Sequence, residues 1–246
     1  MDPTTVIALA LLFALAAALY SSVGHGGASA YIAAMALFSV APETMKPTAL
    51  ALNLLVAGFG AWRYWRRGLS NWRLVLAFAA TAMPAAFIGG AVHLPAIYYK
   101  PLVGILLWLA AARLLWQPAT LAERQTHPPS LWISLPAGAV LGLLAGLTGT
   151  GGGIFLSPLI ILLAWEEPRR TSGVVAAFIF LNSIAGLAGN VASVRHLPGE
   201  LPIFLVAVAA GALLGTWLGV ERLPRPWLLR TLGLVLSIAG AKLLFT

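Results

Sequence analysis

The glycine-rich stretch Ser22-Val-Gly-His-Gly-Gly-Ala28 returns in altered form as Thr148-Gly-Thr-Gly-Gly-Gly153. Each copy separates two apolar runs in a chain of 246 residues that is 60% hydrophobic and 9% charged. Glycine lacks a Cβ and adopts backbone conformations that interrupt a helix. Inside lipid, the N–H and C=O groups freed by such a break are tolerated only where protein or a watery cavity surrounds them. Two breaks at matching positions of two halves therefore predict a ligand site between the halves of a membrane protein.

The composition supports the membrane interpretation. A mean hydropathy of +0.92 exceeds what a soluble chain of this length needs for its core. The net charge of +8 does not indicate nucleic-acid binding, because the basic residues lie in short loops between apolar runs. The absence of cysteine excludes disulfides and thiolate chemistry. Met1-Asp2-Pro3 carries no basic side chain, so the first apolar segment is expected to be mature structure rather than a signal peptide.

Ten apolar segments are separated into two groups of five by a polar linker, residues 117–130. The expected organisation is a first repeat over residues 1–116, this linker, and a second repeat over residues 131–246. The segments are Thr4 to Tyr20, Ala28 to Ala41, Thr48 to Trp65, Leu74 to Val92, Ile97 to Trp116, Leu131 to Leu147, Ile154 to Trp165, Thr171 to Val194, Leu201 to Val220 and Trp227 to Phe245. The second segment of each group is short for a bilayer that needs about 20 helical residues. These two segments are therefore interpreted as half-helices or arms of a re-entrant hairpin.

The two halves are also related outside the glycine breaks. Residues 90–115 align without gaps with residues 219–244, and the pairs Gly90/Gly219, Pro95/Pro224 and Gly104/Gly233 are identical. Glycine and proline matches are more informative than Leu or Ala matches in such an apolar chain. The alignment indicates a duplication, and an odd number of segments in each half indicates that the second copy is inverted in the membrane.

The basic residues set the expected orientation through the positive-inside rule. If the loop after the third segment is cytoplasmic, eleven of the fifteen basic residues lie inside and four lie outside. Both termini then lie outside, and linker 117–130 lies in the cytoplasm. The outside residues are Lys46, Lys100, Arg195 and Lys242; the inside residues are Arg63, Arg66, Arg67, Arg73, Arg113, Arg124, Arg169, Arg170, Arg222, Arg225 and Arg230. The sequence thus predicts an all-α, multi-pass protein of the cytoplasmic membrane, with two inverted repeats whose broken or re-entrant helices meet at a central cavity.

The paired breaks Gly24-His-Gly-Gly-Ala28 and Gly149-Thr-Gly-Gly-Gly153, the chain length and the duplication resemble the TauE/SafE family of sulfite exporters and related permeases. Pro47-Thr48 and Thr171-Ser172, which open the third segments, are also similar. This resemblance covers essentially the whole chain and implies transport of sulfite or small sulfonated anions. Ala28 and His25 depart from the family pattern, so the resemblance does not fix the substrate.

The chemistry of the breaks also favours an anion. A short helix is expected to start after each break, with free N–H groups and the positive end of its dipole directed at the break. No Lys or Arg is expected deep inside a segment, so backbone groups would hold the ligand. The glycines assigned to the site are Gly24, Gly26, Gly27, Gly149, Gly151, Gly152 and Gly153, and close helix packing is the alternative role for them.

Side chains near the breaks are further candidates. The hydroxyls of Ser21, Ser22, Thr148 and Thr150 could donate to oxyanion oxygens or, alternatively, to carbonyls of their own helices. The amides of Asn53 and Asn182, in the middle of the third segments, could bind substrate or link helices. His25 could titrate beside an anion or act as a neutral hydrogen-bond donor. Glu166-Glu167 with Arg169-Arg170 is expected to be a solvated loop.

Two other classes of function were weighed against the carrier. An enzyme would need paired carboxylates, a metal set or an activated nucleophile, whereas the seven acidic residues lie at segment ends or in loops and the four histidines are scattered. The expectation is therefore a transporter that has no cofactor or metal and whose partners are a small anion and the lipid bilayer. An anion channel of similar architecture and a carrier of a non-sulfur organic anion remain open alternatives.

Overall fold

The computed structural model describes residues 2–21, 24–115, 126–191, 197–218 and 225–245, and these residues form helices joined by short connections. In the first half, each helix corresponds to one apolar segment of the sequence. These helices are α1 (Pro3–Ser21), α2 (Ala28–Leu37), α3 (Pro42–Arg66), α4 (Trp72–Ala91) and α5 (Ala96–Leu115).

The second half repeats this order of long and short helices. Its helices are α6 (Leu131–Thr148), α7 (Gly153–Leu162), α8 (Pro168–Gly189), α9 (Leu201–Leu218) and α10 (Arg225–Phe245). At 1.5 Å per residue, the ten residues of α2 and of α7 span about 15 Å, half of a bilayer core of about 30 Å. These lengths agree with the prediction that the second segment of each half is too short to cross the membrane by itself.

Four helices in the described part of the chain are long and apolar enough to cross a membrane. They are Pro3–Ser21, Trp72–Ala91, Leu131–Thr148 and Arg169–Gly189. Large apolar side chains such as Leu11, Leu76 and Trp132 are exposed on the outside of the bundle, where lipid would cover them. The protein is therefore an all-helical, multi-pass integral membrane protein, as the sequence predicted.

Glycines bring two pairs of helices into close contact. A Cβ on Gly142 of α6 would overlap the backbone of Ala82 in α4, and a Cβ on Gly215 of α9 would overlap the backbone of Ala18 in α1. Without these Cβ atoms the backbones approach closely, which is the main source of helix association in lipid. Among the described residues, the α4–α6 pair and the α1–α9 pair make the two most extensive helix contacts.

Helices α3 and α8 cross the centre of the bundle in opposite directions. Gly58 faces Phe180, Gly60 faces Ala176, and Gly173 faces Leu69. Helices α5 and α10 are also antiparallel, because Gly104 meets Leu244 and Gly240, whereas Trp108, one turn later in α5, donates its indole N–H to the carbonyl of Ser237 at 3.0 Å.

The helix connections gather at two ends of the bundle. At one end, Lys242 of α10 donates to Leu37 O and Ser39 Oγ, and the first turns of α3 and α5 lie beside the end of α4. We call this the lysine end, defined by Lys46, Lys100 and Lys242. At the other end, Asn71 before α4 contacts Glu166 before α8. We call this the arginine end, defined by Arg63, Arg66, Arg67, Arg73, Arg169 and Arg170.

Helix α2 is surrounded by protein. Every residue from 28 to 36 is buried, and Tyr31 and Ile32 have no exposed surface. Phe13 packs edge-on against Tyr31 at 5.3 Å between ring centroids, and it also packs edge-on against Phe204 at 5.1 Å. The fold therefore shelters the first glycine break from lipid, as an interrupted helix requires.

Candidate functional site

The first glycine break joins α1 to α2 through left-handed backbone. Gly24 has φ of +79° and Gly27, the N-cap of α2, has φ of +97°, conformations that side-chain-bearing residues rarely adopt. Because Gly27 has no side chain, the N-cap residue cannot accept a hydrogen bond from the N–H groups of the first turn of α2. Instead, the N–H of Ala28 donates to Oδ1 of Asn53 in α3 at 3.1 Å. An amide oxygen from another helix thus occupies the positive end of α2.

The second glycine break joins α6 to α7 in the same manner. Gly149 caps the C-terminus of α6 with φ of +82°, Gly151 has φ of +73°, and Gly152 is the N-cap of α7 with φ of +78°. This N-cap residue is also a glycine, so no side chain of its own caps the first turn of α7. Both breaks therefore end in a helix N-terminus that other groups must satisfy.

Asn53 and Ile179 bring the two breaks together. A Cβ on Gly26 would overlap Asn53 Oδ1, whereas a Cβ on Gly151 would lie 2.6 Å from Asn53 Nδ2. The same two Cβ positions would lie 3.1 and 2.9 Å from one methyl carbon, Ile179 Cγ2, so they are at most 6 Å apart. Gly153, the first residue of α7, also packs against Ile179. The amide of Asn53 thus lies between the breaks, with its oxygen at the first and its nitrogen at the second.

Several buried polar atoms around this junction have no hydrogen-bond partner among the described residues. Asn53 is fully buried and its Nδ2 is unpartnered; Ser183 is also fully buried, with its Oγ unpartnered and 3.4 Å from a Cβ position on Gly151. Both amide atoms of Asn182, which is 1% exposed, also lack a partner. Because more than nine in ten buried polar groups are normally satisfied, these unpartnered donors and acceptors can form hydrogen bonds with water or a polar ligand.

The hydroxyl candidates bond mainly to protein. Ser21 Oγ donates to Ala18 O at 3.3 Å and to Ala212 O at 3.4 Å. Thr148 Oγ1 donates to Leu144 O at 2.6 Å and lies 2.9 Å from Thr150 Oγ1. The geometry thus favours the alternative of helix-carbonyl bonding for Ser21 and Thr148, while Ser22 lies outside the described residues.

The remaining candidate glycines lie at the outer parts of the breaks. Gly24 packs against Ser172 at the start of α8, and Gly149 packs against the backbone of Lys46 at the start of α3. Gly27 lies under the ring of Tyr31, whose hydroxyl donates to Gly26 O at 2.9 Å. Gly152 contacts Phe178. These four glycines shape the breaks, whereas Gly26 and Gly151 face the Asn53 junction.

His25 lies in the first break and is half-buried. Its ring meets the ring of Tyr20 edge-on, with 6.4 Å between centroids. The Tyr20 hydroxyl is itself 2.7 Å from Ser29 Oγ in the first turn of α2. His25 is therefore placed beside the N-terminal turn of α2, at the edge of the junction rather than between the two breaks.

Lys46 departs from the sequence expectation. It was expected in an outside loop, but α3 begins at Pro42, six residues before the predicted start, and Lys46 is only 7% exposed. Its ammonium donates to Gly89 O at 3.0 Å, Gly90 O at 2.9 Å and Val92 O at 3.0 Å, which caps the C-terminus of α4. The missed signal was a helix start: proline at the first helical position followed by an acidic residue, Glu43.

Glu166 also corrects an expectation. The solvated loop predicted for Glu166-Glu167 holds for Glu167, which is exposed, but Glu166 is 8% exposed. Its carboxylate accepts from Asn71 Nδ2 and from the N–H of Glu167. The pairing ties the α3–α4 connection to the start of α8, a long-range contact that sequence spacing does not reveal.

The described residues contain no group of three or more His, Asp or Glu side chains placed to hold a metal ion. What the junction provides is two helix N-termini, an amide and a hydroxyl. These groups are donors that suit an anion or a neutral polar ligand. The fold thus defines a multi-pass membrane protein, in which two broken helices meet at a buried group of polar atoms.

Comparison with known proteins agrees with this class. The family described as "Sulfite exporter TauE/SafE" matches residues 9–243. A relative from Sinorhizobium fredii, "Probable membrane transporter protein y4hK", is 41% identical over 245 residues, covering 98% of this chain and 99% of the relative. "Probable membrane transporter protein YjnA" from Bacillus subtilis is 24% identical over 258 residues, covering 97% of this chain and 99% of the relative. No solved structure gives a significant match.

The chain therefore belongs to the TauE/SafE sulfite exporter family. It is a multi-pass membrane transporter protein, which agrees with the resemblance noted in the sequence.

Proposed function

We propose that the protein is a secondary transporter that moves a small sulfur-containing anion, sulfite or an organosulfonate, across the cytoplasmic membrane. The observation that carries the proposal is the position of Asn53 between the two glycine breaks, with its Nδ2 buried and unpartnered. A donor left without a partner costs about 1–3 kcal/mol, so a ligand oxygen that satisfies it is favoured. The name of the family supports a sulfur oxyanion as the ligand.

The anion would be bound by neutral donors rather than by a paired cation. The N-termini of α2 and α7 bring their positive dipole ends to the junction, and Asn53 Nδ2 and Ser183 Oγ add polar hydrogens. Each charge-assisted hydrogen bond to an oxyanion contributes about 1.5–3 kcal/mol. Neutral donors keep the total modest, which allows the release that a transport cycle needs. Asn182 and Thr150 are secondary candidates in this proposal, and His25 lies at its edge.

Inverted repeats over residues 1–116 and 131–246 would provide alternating access in this proposal. Under such a repeat, α1 corresponds to α6 and α4 to α9, so the α4–α6 contact has its counterpart in α1–α9. Likewise α5 corresponds to α10 and α3 to α8, and inversion makes each of these two pairs antiparallel, which is their observed relation. Rocking of one repeat against the other around the fixed junction would then expose it to each side in turn.

The orientation is proposed from the charge of the two ends. Among the residues whose side chains the structure describes, six arginines lie at the arginine end and three lysines at the lysine end. The positive-inside rule places the arginine end in the cytoplasm. Both termini and the lysine end would then face the outside, and the linker 117–130 would face the cytoplasm.

Reconstitution of the purified protein into liposomes tests the proposal. We expect sulfite flux that saturates with concentration, and counterflow of labelled sulfite when the liposomes are preloaded with unlabelled sulfite. Sulfate, sulfoacetate and simple carboxylates serve as competitors, and protein-free liposomes as the control. Flux without saturation or counterflow would favour the channel alternative, whereas competition by carboxylates alone would indicate a carrier of a non-sulfur organic anion.

A further inference from the structure

A cavity of about 230 Å³ opens at the lysine end, apart from the Asn53 junction. It lies between the first turns of α3 and α5 and the ends of α4, α6 and α8. The residues that line it are Pro42, Glu43, Lys46, Val92, His93, Leu94, Pro95, Tyr99, Leu147 and Asn190. Since one water molecule takes about 30 Å³, the cavity has room for a small oxyanion with part of its hydration shell.

The cavity carries a buried positive charge. The ammonium of Lys46 is held by the carbonyls of Gly89, Gly90 and Val92 at 2.9–3.0 Å, and none of these acceptors is charged. The carbonyls fix the position of the ammonium without neutralising it. A charge held in a partly enclosed, low-dielectric cleft raises the local concentration of ions of opposite sign. Glu43 and His93 also line the cavity, but both side chains are exposed, so solvent screens their charges more than it screens the buried Lys46.

The cavity also contains an unsatisfied amide. Asn190, the C-cap of α8, is 1% exposed, and neither its Nδ2 nor its Oδ1 has a partner among the described residues. An amide buried in this way is expected to bind water or a ligand from the cavity it lines. Lys46 and Asn190 thus place a fixed positive charge and a free hydrogen-bond donor around one space.

The cavity lies beside the second glycine break. Leu147 lines the cavity and is followed by Thr148, whose carbonyl accepts from the Tyr99 hydroxyl at 3.0 Å. The backbone of Lys46 lies against Gly149, with Lys46 O 3.0 Å from a Cβ position there. Lys46 and Asn53 are two turns apart on α3, and they lie against Gly149 and Gly151 of the same break. An anion in the cavity is therefore next to the path toward the junction.

We propose that this cavity is a second anion-binding site, through which the transported anion reaches the α6–α7 break from the lysine end. Lys46 attracts the anion, and Asn190 donates a hydrogen bond to it. The role as an access site rests on the proposed function; the preference of the cavity for anions does not. Both are testable, because the chain has no cysteine and single-cysteine variants therefore carry no background.

The experiment replaces Asn190 by cysteine in the full chain and measures the rate of thiol modification in liposomes. The reagents are two methanethiosulfonates of similar size, one carrying a sulfonate and one a quaternary ammonium. With each rate expressed relative to the rate of the same reagent with a small free thiol, we expect the anionic reagent to react about fivefold faster, because the Lys46 charge lies within one Debye length of the cavity. Methanesulfonate, which does not react with thiol reagents, should slow the modification.

Substitutions of two lysines distinguish the effect of the Lys46 charge from the effect of the other positive charges at the lysine end. Lys46→Gln in the N190C background keeps amide donors for the α4 carbonyls but removes the charge, and it should abolish the preference for the anionic reagent. Lys46→Arg should retain the preference, and Lys242→Gln, which changes a lysine of the same end outside the cavity, should leave it unchanged. Equal rates for the two reagents in N190C, or an equal loss with Lys242→Gln, would overturn the second site.

The transport assay keeps this result separate from the proposed function. Asn190→Asp should raise the KM for sulfite applied at the lysine end about fivefold and leave the kcat nearly unchanged. An anion-selective cavity in a protein that carries no sulfite would contradict the proposed function while supporting the second anion site. Sulfite transport with no charge preference at position 190 would support the proposed function and overturn the second site.

Discussion

Two glycines face the Asn53 junction, and each leaves no room for a side chain. A Cβ on Gly26 would overlap Asn53 Oδ1, which accepts from Ala28 N–H. A Cβ on Gly151 would contact Asn53 Nδ2 and would also strain a backbone with φ of +73°, at a cost of about 1–2 kcal/mol. The absence of side chains at these two positions therefore leaves room for the Asn53 amide between the two breaks.

Replacement of these glycines by alanine should impair transport much more than it impairs folding. We expect Gly26→Ala and Gly151→Ala to lower the initial rate of sulfite flux at least about tenfold, since each displaces the Asn53 amide. Gly60→Ala is the matched control, because a Cβ there meets Ala176 at an ordinary 3.5 Å. Yield of monodisperse protein and flux in liposomes are the measurements. Normal flux in both variants would make these glycines packing residues.

Asn53 has two separable functions within one amide. Its Oδ1 completes the N-terminus of α2, whereas its Nδ2 points to the second break without a partner. Asn53→Asp keeps the oxygen and removes the N–H donors. We expect the fold to be preserved, because the new carboxylate can still accept from Ala28 N–H and lies at the positive end of α2. Sulfite binding should weaken at least about tenfold, because the donor is lost and the carboxylate repels the anion.

Binding of sulfite to purified Asn53→Asp is measured by calorimetry, and thermal unfolding in detergent reports the fold. Asn53→Leu provides the contrast, because it also removes the bond to Ala28 N–H and should lower the unfolding temperature. Unchanged sulfite affinity in Asn53→Asp would show that the Nδ2 donors do not contact the anion. The anion would then have to bind elsewhere than at the Asn53 junction.

At the level of the helices, the sequence predicted most of what is observed. Each of the ten apolar segments overlaps one helix in the described part of the chain, because long apolar runs and glycine or proline interruptions are local signals. The start of α3 was placed six residues late, since Pro42 to Lys46 is polar and resembles a loop. Hydropathy alone could not show that Lys46 caps α4, because its three acceptors lie more than forty residues away in the chain.

The site was predicted in part for the same reason. The glycines and Asn53 stand out locally as breaks and as a mid-segment amide. Their meeting at Ile179, and the unpartnered Ser183 beside Gly151, depend on the packing of α8 against both breaks. Contacts of this kind are between residues far apart in sequence, so composition and periodicity do not specify them.

Close packing of α4 on α6 leads to a prediction about stability. Gly142 of α6 lies against the backbone of Ala82 in α4, and no space is left there for a side chain. A larger residue would therefore push the two helices apart. We expect Gly142→Val to lower the free energy of unfolding by more than about 1–3 kcal/mol, the usual cost of overpacking. Gly186→Ala, where a Cβ meets Leu50 at an ordinary 3.5 Å, serves as the control. Thermal unfolding in detergent measures the difference, and an unchanged midpoint for Gly142→Val would contradict the packing argument.

The molecule as a whole has two ends of different charge character. Helices α3 and α8 are antiparallel, and so are helices α5 and α10. In an inverted repeat, the members of each of these pairs would be related to each other by the two-fold axis. Parallel repeats would make the members of each pair run in the same direction. The relation of the pairs and the charge of the ends thus support the same arrangement by independent routes.

Single cysteines at the two ends test this arrangement, and the cysteine-free chain makes them unambiguous. Ala41, between α2 and α3, is exposed at the lysine end, and Glu167, before α8, is exposed at the arginine end. In right-side-out vesicles, a membrane-impermeant maleimide should label Ala41→Cys at once and label Glu167→Cys only after the vesicles are opened. Flux measurements verify that both variants are active. Labelling in the reverse order would reverse the proposed orientation, and labelling of both cysteines in sealed vesicles would mean that the two ends share one face of the membrane, which an inverted repeat does not permit.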